Sequence, residues 1–363
     1  MYIKKADERI LIQILRGFAI ILVVIHHVMK CFQLSNEANT LLTIINSVHV
    51  VVFFVISGWL FEKKRSKYKS QGMIKFIKSK FFQLLIPYFA FSFSFAILVV
   101  IGSRIDKLEK LVYSFTNGNI KSLPQIFFDI VFYHDVYYES LWFIYTLFIL
   151  MILNYFMSSD LFSSAPFVGC MLVVAIFIKS YMWMIYDLEQ ITILNNVIMY
   201  LPWMLLGRFF YTKLCNGFIL NIKIIVCAGC ALLLCIIRYY YIDLAYFMGL
   251  YARAIWKGIE VFVIRISFLI IILAISKYLM ERNRYRIISY IGDNSYDIYL
   301  IHNPWIVSVL AIFITKFFCA SLLLQISICT MSSIILSIVL TRLIERYARP
   351  VYRLYFGKLG SKK

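Results

Sequence analysis

The feature that most constrains the fold of this chain is a series of apolar runs, each long enough to cross a lipid bilayer. They lie near residues 10–32, 41–61, 81–101, 140–157, 166–186, 193–211, 218–238, 256–276, 291–314 and 320–341. A helix needs about 20 apolar residues to cross the hydrocarbon core. Helices and closed barrels alone satisfy their backbone groups in lipid, and these runs are too long for barrel strands. The sequence therefore predicts an all-α, polytopic membrane helix bundle with about ten transmembrane helices.

Composition agrees with a protein that sits in the lipid bilayer. Of the 363 residues, 62% are hydrophobic and 15% are charged, whereas soluble domains are about 25% charged. The mean hydropathy is +0.83. Between the apolar runs, no polar stretch is long enough for a second, soluble domain, so we expect a single integral-membrane domain over residues 1–363.

The distribution of positive charge predicts the orientation. The formal net charge is +19, and in a ten-span arrangement the basic loops 62–80 and 277–289 fall on the same side as both termini. The opposite loops 33–40 and 187–192 contain no Lys or Arg. By the positive-inside rule we expect both termini in the cytoplasm. These short loops offer no folded basic surface with stacking aromatics, so nucleic acid is not an expected partner.

Two ionisable residues in the first apolar run are the first candidates for function. Arg16 and His27 are eleven residues apart, which in a helix is an advance of about 16 Å and a rotation of about 20° beyond three turns. They therefore share one helix face. Ionisable groups at membrane depth are costly and mark functional sites by default. His26 points about 100° away from this face.

Histidines in two other runs add to this pattern. His49 and His302 fall at a depth similar to that of His27 in the second and ninth predicted helices. A polar cavity would explain this coincidence, and so would hydrogen bonds between membrane helices that serve packing alone. His134 lies in an outer loop and is expected to be solvated.

Arg16 has two interpretations. It could snorkel toward the lipid headgroups, or it could clamp an anion at a cytoplasmic entrance, with Lys75, Lys78 and Lys80 beside it. A metal site is a weak alternative, because Asp297 and His302 do not share a helix face, and we predict none. Cys227 and Cys230 form a CxxC pattern inside an apolar run, which favours packing over disulfide or zinc chemistry.

Six segments in order resemble the landmarks of membrane acyltransferase family 3, in the branch of polysaccharide O-acetyltransferases and fucose 4-O-acetylase-like proteins. They are LRGFAIILVVIHH (15–27), with its Arg, ten residues and His, followed by HVVVFFVISGWLF (49–61), KSKFFQLLIPYFAF (78–91), LWFIYTLFIL (141–150), YLPWMLLGRFF (200–210) and YIGDNSYDIYLIHNPW (290–305). The ending RLYFGK (353–358) is also similar. The chain departs from the family pattern at four places: Val50 or Val51 replaces a Pro, Lys replaces Arg before the third span, Asp297 stands where a small residue is common, and Asn303 separates His302 from Pro304.

The resemblance implies a multi-pass enzyme of the bacterial cell membrane that transfers an acyl group, usually acetyl from acetyl-CoA, to a carbohydrate hydroxyl. Acyl-CoA would be a co-substrate, with no permanently bound cofactor. The acceptor would be a cell-surface or lipid-linked glycan, and a glycan-synthesis complex is a further expected partner.

The residues then take roles under this resemblance. His27 would be the catalytic base, and Arg16 would hold the CoA phosphate or pantetheine, with Lys75, Lys78 and Lys80 nearer the nucleotide. The expected acceptor-binding or orienting residues are His49, Trp142, Ser295, Tyr299 and His302.

Two alternatives stay open. One is a transporter of a sugar or lipid-linked glycan, which ten spans with buried charges would also fit. Its sequence marks, internal repeats or paired broken helices, are not visible in this chain. The other is a scaffold in a polysaccharide synthase complex, which would tolerate substitution of Arg16 and His27.

Overall fold

The computed structural model describes residues 5–106, 112–113, 116, 120–134, 136–184, 192–215, 221–241, 249–318 and 320–358, and in this part of the chain the secondary structure is helical throughout. The α-helices are α1 (Lys5–Met29), α2 (Asn36–Val48), α3 (Val51–Gln71), α4 (Met73–Lys80), α5 (Ile86–Gly102), α6 (Leu123–Phe132), α7 (Trp142–Phe156), α8 (Ala165–Met184), α9 (Thr192–Cys215), α10 (Ile222–Tyr241), α11 (Leu250–Glu281), α12 (Arg286–Asp293), α13 (Ser295–Ile301), α14 (Val307–Phe317), α15 (Leu322–Tyr347) and α16 (Arg349–Tyr355). Two π-helical turns, Phe81–Leu85 and His302–Ile306, and two 3-10 turns, Glu139–Leu141 and Asp160–Ser163, join some of them.

Eight helical stretches of the described chain are long and apolar enough to cross a membrane. The fifth and seventh predicted runs, 166–186 and 218–238, correspond to α8 and α10, whose described apolar parts, Ala165–Ile178 and Ile222–Ile237, are shorter. The prediction of an all-α polytopic helix bundle is confirmed. The cytoplasmic position of the termini stays a prediction.

Two predicted spans are interrupted within their apolar runs. The second is split into α2 and α3, and the break falls at His49 and Val50. The ninth begins with α12 and α13 and continues through the π-helical turn, where Asn303 has the non-helical angles φ −130° and ψ 131°. Irregular backbone at membrane depth is tolerated where it is buried in protein or lines a cavity. The two breaks therefore point to a polar site beside them.

The chain forms two compact units, which leaves the single-domain prediction for residues 1–363 untested. The first unit contains Met1–Ser66, Met157–Leu188 and Ile198–Ile338; the second contains Lys67–Phe156, Glu189–Val197 and Val339–Lys363.

Glycines set two close helix contacts in the first unit. A Cβ atom on Gly17 of α1 would overlap the backbone oxygen of Ile288 in α12, and one on Gly292 would overlap that of Gln13. The same reciprocal arrangement joins α3 and α9, where Gly58 lies against the carbonyl of Met204 and Gly207 lies against that of Val55. Small residues let membrane helices approach to backbone contact. All four glycines belong to the landmark segments, and the close helix contacts give a physical reason for glycine at these positions.

The second unit packs α5 against α6 and α16. The Tyr88 hydroxyl donates a hydrogen bond of 2.7 Å to the carbonyl of Ile130, which ties α5 to α6. Helix α6 has 10 residues, which is too short to cross a bilayer. Leu123, Phe127 and Phe132 are exposed along it.

Candidate active site

Four of the five histidines in the chain gather in one cluster in the first unit. His26 stacks on His49 with ring centroids 4.5 Å apart, and it contacts its neighbour His27 edge-on at 5.0 Å. His27 in turn faces His302 at 5.2 Å. The structure therefore brings together His27, His49 and His302, which the sequence placed at similar depth in three helices.

The hydrogen bonds of His49 and His302 fix which ring nitrogen carries hydrogen. His49 Nδ1 lies 3.0 Å from the carbonyl oxygen of Ile45, and His302 Nδ1 lies 3.0 Å from that of Ile298. Carbonyl oxygens only accept, so in both neutral rings Nδ1 carries the hydrogen and donates it. The Nε2 atom of each ring is therefore a lone-pair acceptor.

Access differs among the four rings. His302 is completely buried, and its Nε2 atom has no hydrogen-bond partner among the described residues. His26 and His49 are also buried. His27 is only half-buried. Of these four residues His27 therefore keeps the most exposed surface, and the other three form its surroundings.

His26 is the member of the cluster that the sequence did not point to. It does lie off the Arg16–His27 face, as the helix geometry requires, but that direction leads to His49 at the break between α2 and α3. A helical wheel gives the direction of a side chain but does not say which residues of other helices that side chain meets.

Arg16 lies on the same face of α1 as His27, next to the glycine contact with α12. It is half-buried and makes no hydrogen bond or ion pair with a described residue. The charge that attracts it is that of Asp293, which also accepts a short hydrogen bond from Gln13. The guanidinium donors of Arg16 can therefore take an anion.

Two further predicted residues lie near the cluster. Tyr299 is buried, its ring centroid is 6.1 Å from that of His302, and its carbonyl accepts a second bond of 2.9 Å from His302 Nδ1. Ser295 is buried at the start of α13. The structure thus joins Tyr299 directly to the histidines and places Ser295 one turn before it.

The remaining predicted residues belong to the second unit. Lys75 and Lys78 are exposed on α4. Lys80 is only 8% exposed, donates to Gln83 Oε1 at 3.1 Å, and lies over the rings of Tyr68 and Phe76. The three lysines therefore do not form one exposed patch. Trp142 is half-buried at the start of α7.

His134, expected to be solvated, is 60% exposed and lies on the second unit. Its Nδ1 atom is 3.1 Å from Asp129 Oδ1, and the other Asp129 oxygen accepts from Lys121 Nζ at 2.8 Å. This carboxylate pairs with a buried lysine and is locked in place.

A buried ion-pair network in the first unit was missed by the sequence reasoning. Arg208 is completely buried; its Nε atom donates to Glu62 Oε2 at 2.8 Å, and its terminal nitrogens donate to the carbonyls of Met157 and Ser159. Glu62 also pairs with Arg65 at 3.0 Å. The signal was available, because Arg208 is an ionisable residue within the apolar segment YLPWMLLGRFF. Arg265, in the eighth run, carries the same signal.

Within the described ranges, no three His, Cys, Asp or Glu side chains are arranged to hold a metal ion. The rings of the cluster can exchange protons and accept hydrogen bonds, and Arg16, about 16 Å away along the same face of α1, adds a half-buried guanidinium.

Comparison with known proteins places this arrangement in a family. The model of the acyltransferase 3 family, described as an acyltransferase domain, matches residues 10–342. No curated protein and no solved structure matches the chain. The matched range contains the four clustered histidines, Arg16, and all the other residues predicted to form the site.

Proposed function

Because the chain belongs to membrane acyltransferase family 3, we propose that it moves an acetyl group from acetyl-CoA to a hydroxyl of a cell-surface or lipid-linked carbohydrate. Acyl transfer is the activity of the family. The acetyl-CoA donor, the acetyl group and the glycan acceptor are what we propose for this chain. We place the enzyme in a bacterial cell membrane with both termini in the cytoplasm, in contact with a glycan-synthesis complex.

The observation that carries the proposal is the half-buried His27 among three buried histidines, on the same helix face as Arg16. A carbohydrate hydroxyl is a poor nucleophile at neutral pH. A neutral imidazole within hydrogen-bond reach can take its proton as the oxygen attacks, which contributes about 10²- to 10⁴-fold to the rate. The accessible ring in the cluster is therefore assigned as the base.

The proposed reaction balances within this site. The acceptor oxygen bonds to the thioester carbonyl carbon while His27 takes the hydroxyl proton. The carbon–sulfur bond then breaks, and the CoA sulfur leaves with the proton that His27 gained. The lone pair of His302 Nε2, buried beside the His27 ring, would stabilise the charged form of His27 between these two steps.

The donor is assigned to the Arg16 end of the α1 face that Arg16 and His27 share. A guanidinium binds phosphate through paired, charge-assisted hydrogen bonds, and Arg16 has no ion-pair partner among the residues described. Lys75 and Lys78 are exposed and could contact the nucleotide. Lys80 donates to Gln83 and would contribute by positioning this segment. The acceptor is assigned to His49, Ser295, Tyr299 and His302, with Trp142 as a further contact.

The test is release of free CoA coupled to transfer of label. Membranes containing the protein are given acetyl-CoA with a radiolabelled acetyl group and total cellular glycan, and membranes without the protein serve as the control. We expect thiol release and label in the glycan in equal amounts. A transporter would give neither, and the broken helices at His49 and His302 make this comparison necessary, since transporters also use broken helices. Mass spectrometry of the glycan then identifies the acyl group.

A further inference from the structure

Arg265 lies near the midpoint of the membrane-spanning stretch Tyr251–Glu281 in α11 and is only 8% exposed. A charged group at this depth is expensive unless it is paired or serves a ligand or a pathway. None of the roles assigned above involves it.

The contacts of Arg265 leave most of its guanidinium unused. Nε donates a hydrogen bond of 2.8 Å to the carbonyl of Ser47. The guanidinium carbon lies 5.8 Å from the ring centroid of Tyr200 and 5.5 Å from that of Trp203. Across the described ranges, no carboxylate lies within ion-pair distance of Arg265 and no acceptor meets its two terminal nitrogens.

A structural role explains part of this arrangement. Ser47 is in the last turn of α2, where carbonyl groups lack helical partners and the helix dipole favours a positive charge. That role uses one nitrogen and could be filled by a neutral donor. Arg208 shows what a purely structural arginine looks like in this protein, since Glu62 balances its charge and carbonyls accept from its terminal nitrogens.

The position of Arg265 connects it to the histidine cluster. Ser47 is two residues from His49. The charge of Arg265 acts electrostatically on His49, and the His49 ring stacks on His26. Arg16 is about 16 Å along α1 from the level of His27. The two arginines therefore serve different ends of the site, and Arg265 is at the histidine level.

We propose that Arg265 binds an anionic group of the acceptor, a phosphate or a carboxylate, and thereby holds the acceptor hydroxyl at the histidine cluster. This rests on the proposed function for the identity of the acceptor. The terminal nitrogens of Arg265 supply the paired donors that such an anion takes, and the rings of Tyr200 and Trp203 lie beside the guanidinium. The ligand class is an acidic carbohydrate or one linked through phosphate.

The experiment measures binding without turnover. Full-length protein in nanodiscs is titrated with geranyl pyrophosphate and with glucuronic acid, and in parallel with the neutral geraniol and glucose. Thermal stabilisation of the protein reports binding. The variants are R265Q, which keeps a donor for Ser47, R265K, and the matched control R282Q, an exposed arginine at the end of the same helix.

We expect the wild-type protein and R282Q to bind at least one anionic probe and neither neutral one. R265Q should weaken this binding about tenfold or more, the loss of one charge-assisted hydrogen bond, and R265K should weaken it less, because lysine keeps the charge without the paired donors. A preference for the pyrophosphate assigns the anion to a lipid carrier, and a preference for the carboxylate assigns it to the sugar.

Equal binding of charged and neutral probes by wild-type protein, or unchanged anion binding in R265Q, would overturn the proposal. The comparison on wild-type protein needs no variant to fold. Because no acetyl-CoA is present, failure of the acetyl-transfer assay leaves this result standing, and failure of anion binding leaves acetyl transfer untouched.

Discussion

The rings of His27 and His302 face each other with their centroids 5.2 Å apart and their planes at 60°. His302 cannot present a hydrogen to His27, since its Nδ1–H is committed to the carbonyls of Ile298 and Tyr299. What it presents is a buried lone pair on Nε2. In the proposed mechanism His27 is the base, and the lone pair of His302 Nε2 would stabilise its protonated form during the reaction.

The first prediction separates the two nitrogens of His302. Asparagine can replace the Nδ1 donor but has no atom at Nε2, so we expect H302N to fold and to lower kcat about 10- to 100-fold, with little change in KM for acetyl-CoA, because a hydrogen bond to a charged group contributes about 1.5–3 kcal/mol. H302Q, which places an acceptor nearer the Nε2 position, should recover part of the rate. Steady-state CoA release measures both.

A matched control is H134N, which changes the largely exposed histidine of the second unit. It should leave kcat within about twofold, an effect within the usual range for surface substitutions. A wild-type kcat in H302N would remove His302 from the mechanism.

The glycine contacts predict a stability difference between similar substitutions. A methyl group on Gly58 or Gly207 meets the backbone of the facing helix, and overpacking of this kind costs about 1–3 kcal/mol. Gly229 in α10 has nothing within 4 Å of such a methyl group. Thermal denaturation in detergent should therefore show a lower Tm for G58A and G207A, and an unchanged or higher Tm for G229A. Equal Tm values in all three would contradict the close helix contact.

Much of the fold follows from the sequence, because the length of each apolar run indicates whether that segment can cross the membrane as a helix. The run 291–314 carries a visible break signal in Pro304, and the structure departs from regular helix beside it. The break at His49 has no such signal, because VHVVVFF contains neither Pro nor Gly although α2 ends and α3 begins there.

The site was predictable where one helix determines it. Arg16 and His27 share a face because of helical geometry alone. His49 and His302 became candidates because their predicted depth in the membrane is similar to that of His27. The contacts of His26 and Arg265 depend on which helix lies opposite, and a single sequence does not contain that information. Arg208 and Glu62 could have been found as charges in or beside apolar runs, but not as partners 146 residues apart.

The buried ion pair gives a third prediction. E62Q removes the negative charge that balances Arg208, which is completely buried. Breaking a buried pair by removing one partner costs about 3–5 kcal/mol. We expect a large fall in Tm and in the yield of folded protein, measured by denaturation of the solubilised protein.

The comparison variant is E345Q, which breaks the exposed pair between Arg342 and Glu345 at 2.8 Å. Exposed pairs contribute about 0–1 kcal/mol, so its Tm should be close to that of the wild-type protein. If E62Q were as stable as E345Q, Arg208 would not depend on Glu62.

The fourth prediction concerns the donor. If Lys75 and Lys78 contact the nucleotide of CoA, the double variant K75Q/K78Q should raise KM for acetyl-CoA several-fold and leave kcat unchanged, because charge attraction of exposed groups adds uniform binding. The difference should shrink in high salt, which screens exposed charges, and with acetyl-dephospho-CoA, which lacks the 3′-phosphate.

K277Q is the control, since Lys277 is an exposed lysine on α11 that pairs with Glu281. Its KM should equal that of the wild-type protein. An unchanged KM in K75Q/K78Q would assign these two lysines to membrane orientation alone.

The most direct test of the central claim is acetyl transfer by the variant H27A. Wild-type and H27A proteins are reconstituted at equal abundance in proteoliposomes, their Tm values are compared, and CoA release is followed together with label in the glycan. We predict a loss of at least about 100-fold in transfer, the contribution of a positioned general base, with Tm preserved. An H27A protein that folds equally well and transfers acetyl at the wild-type rate would contradict the account.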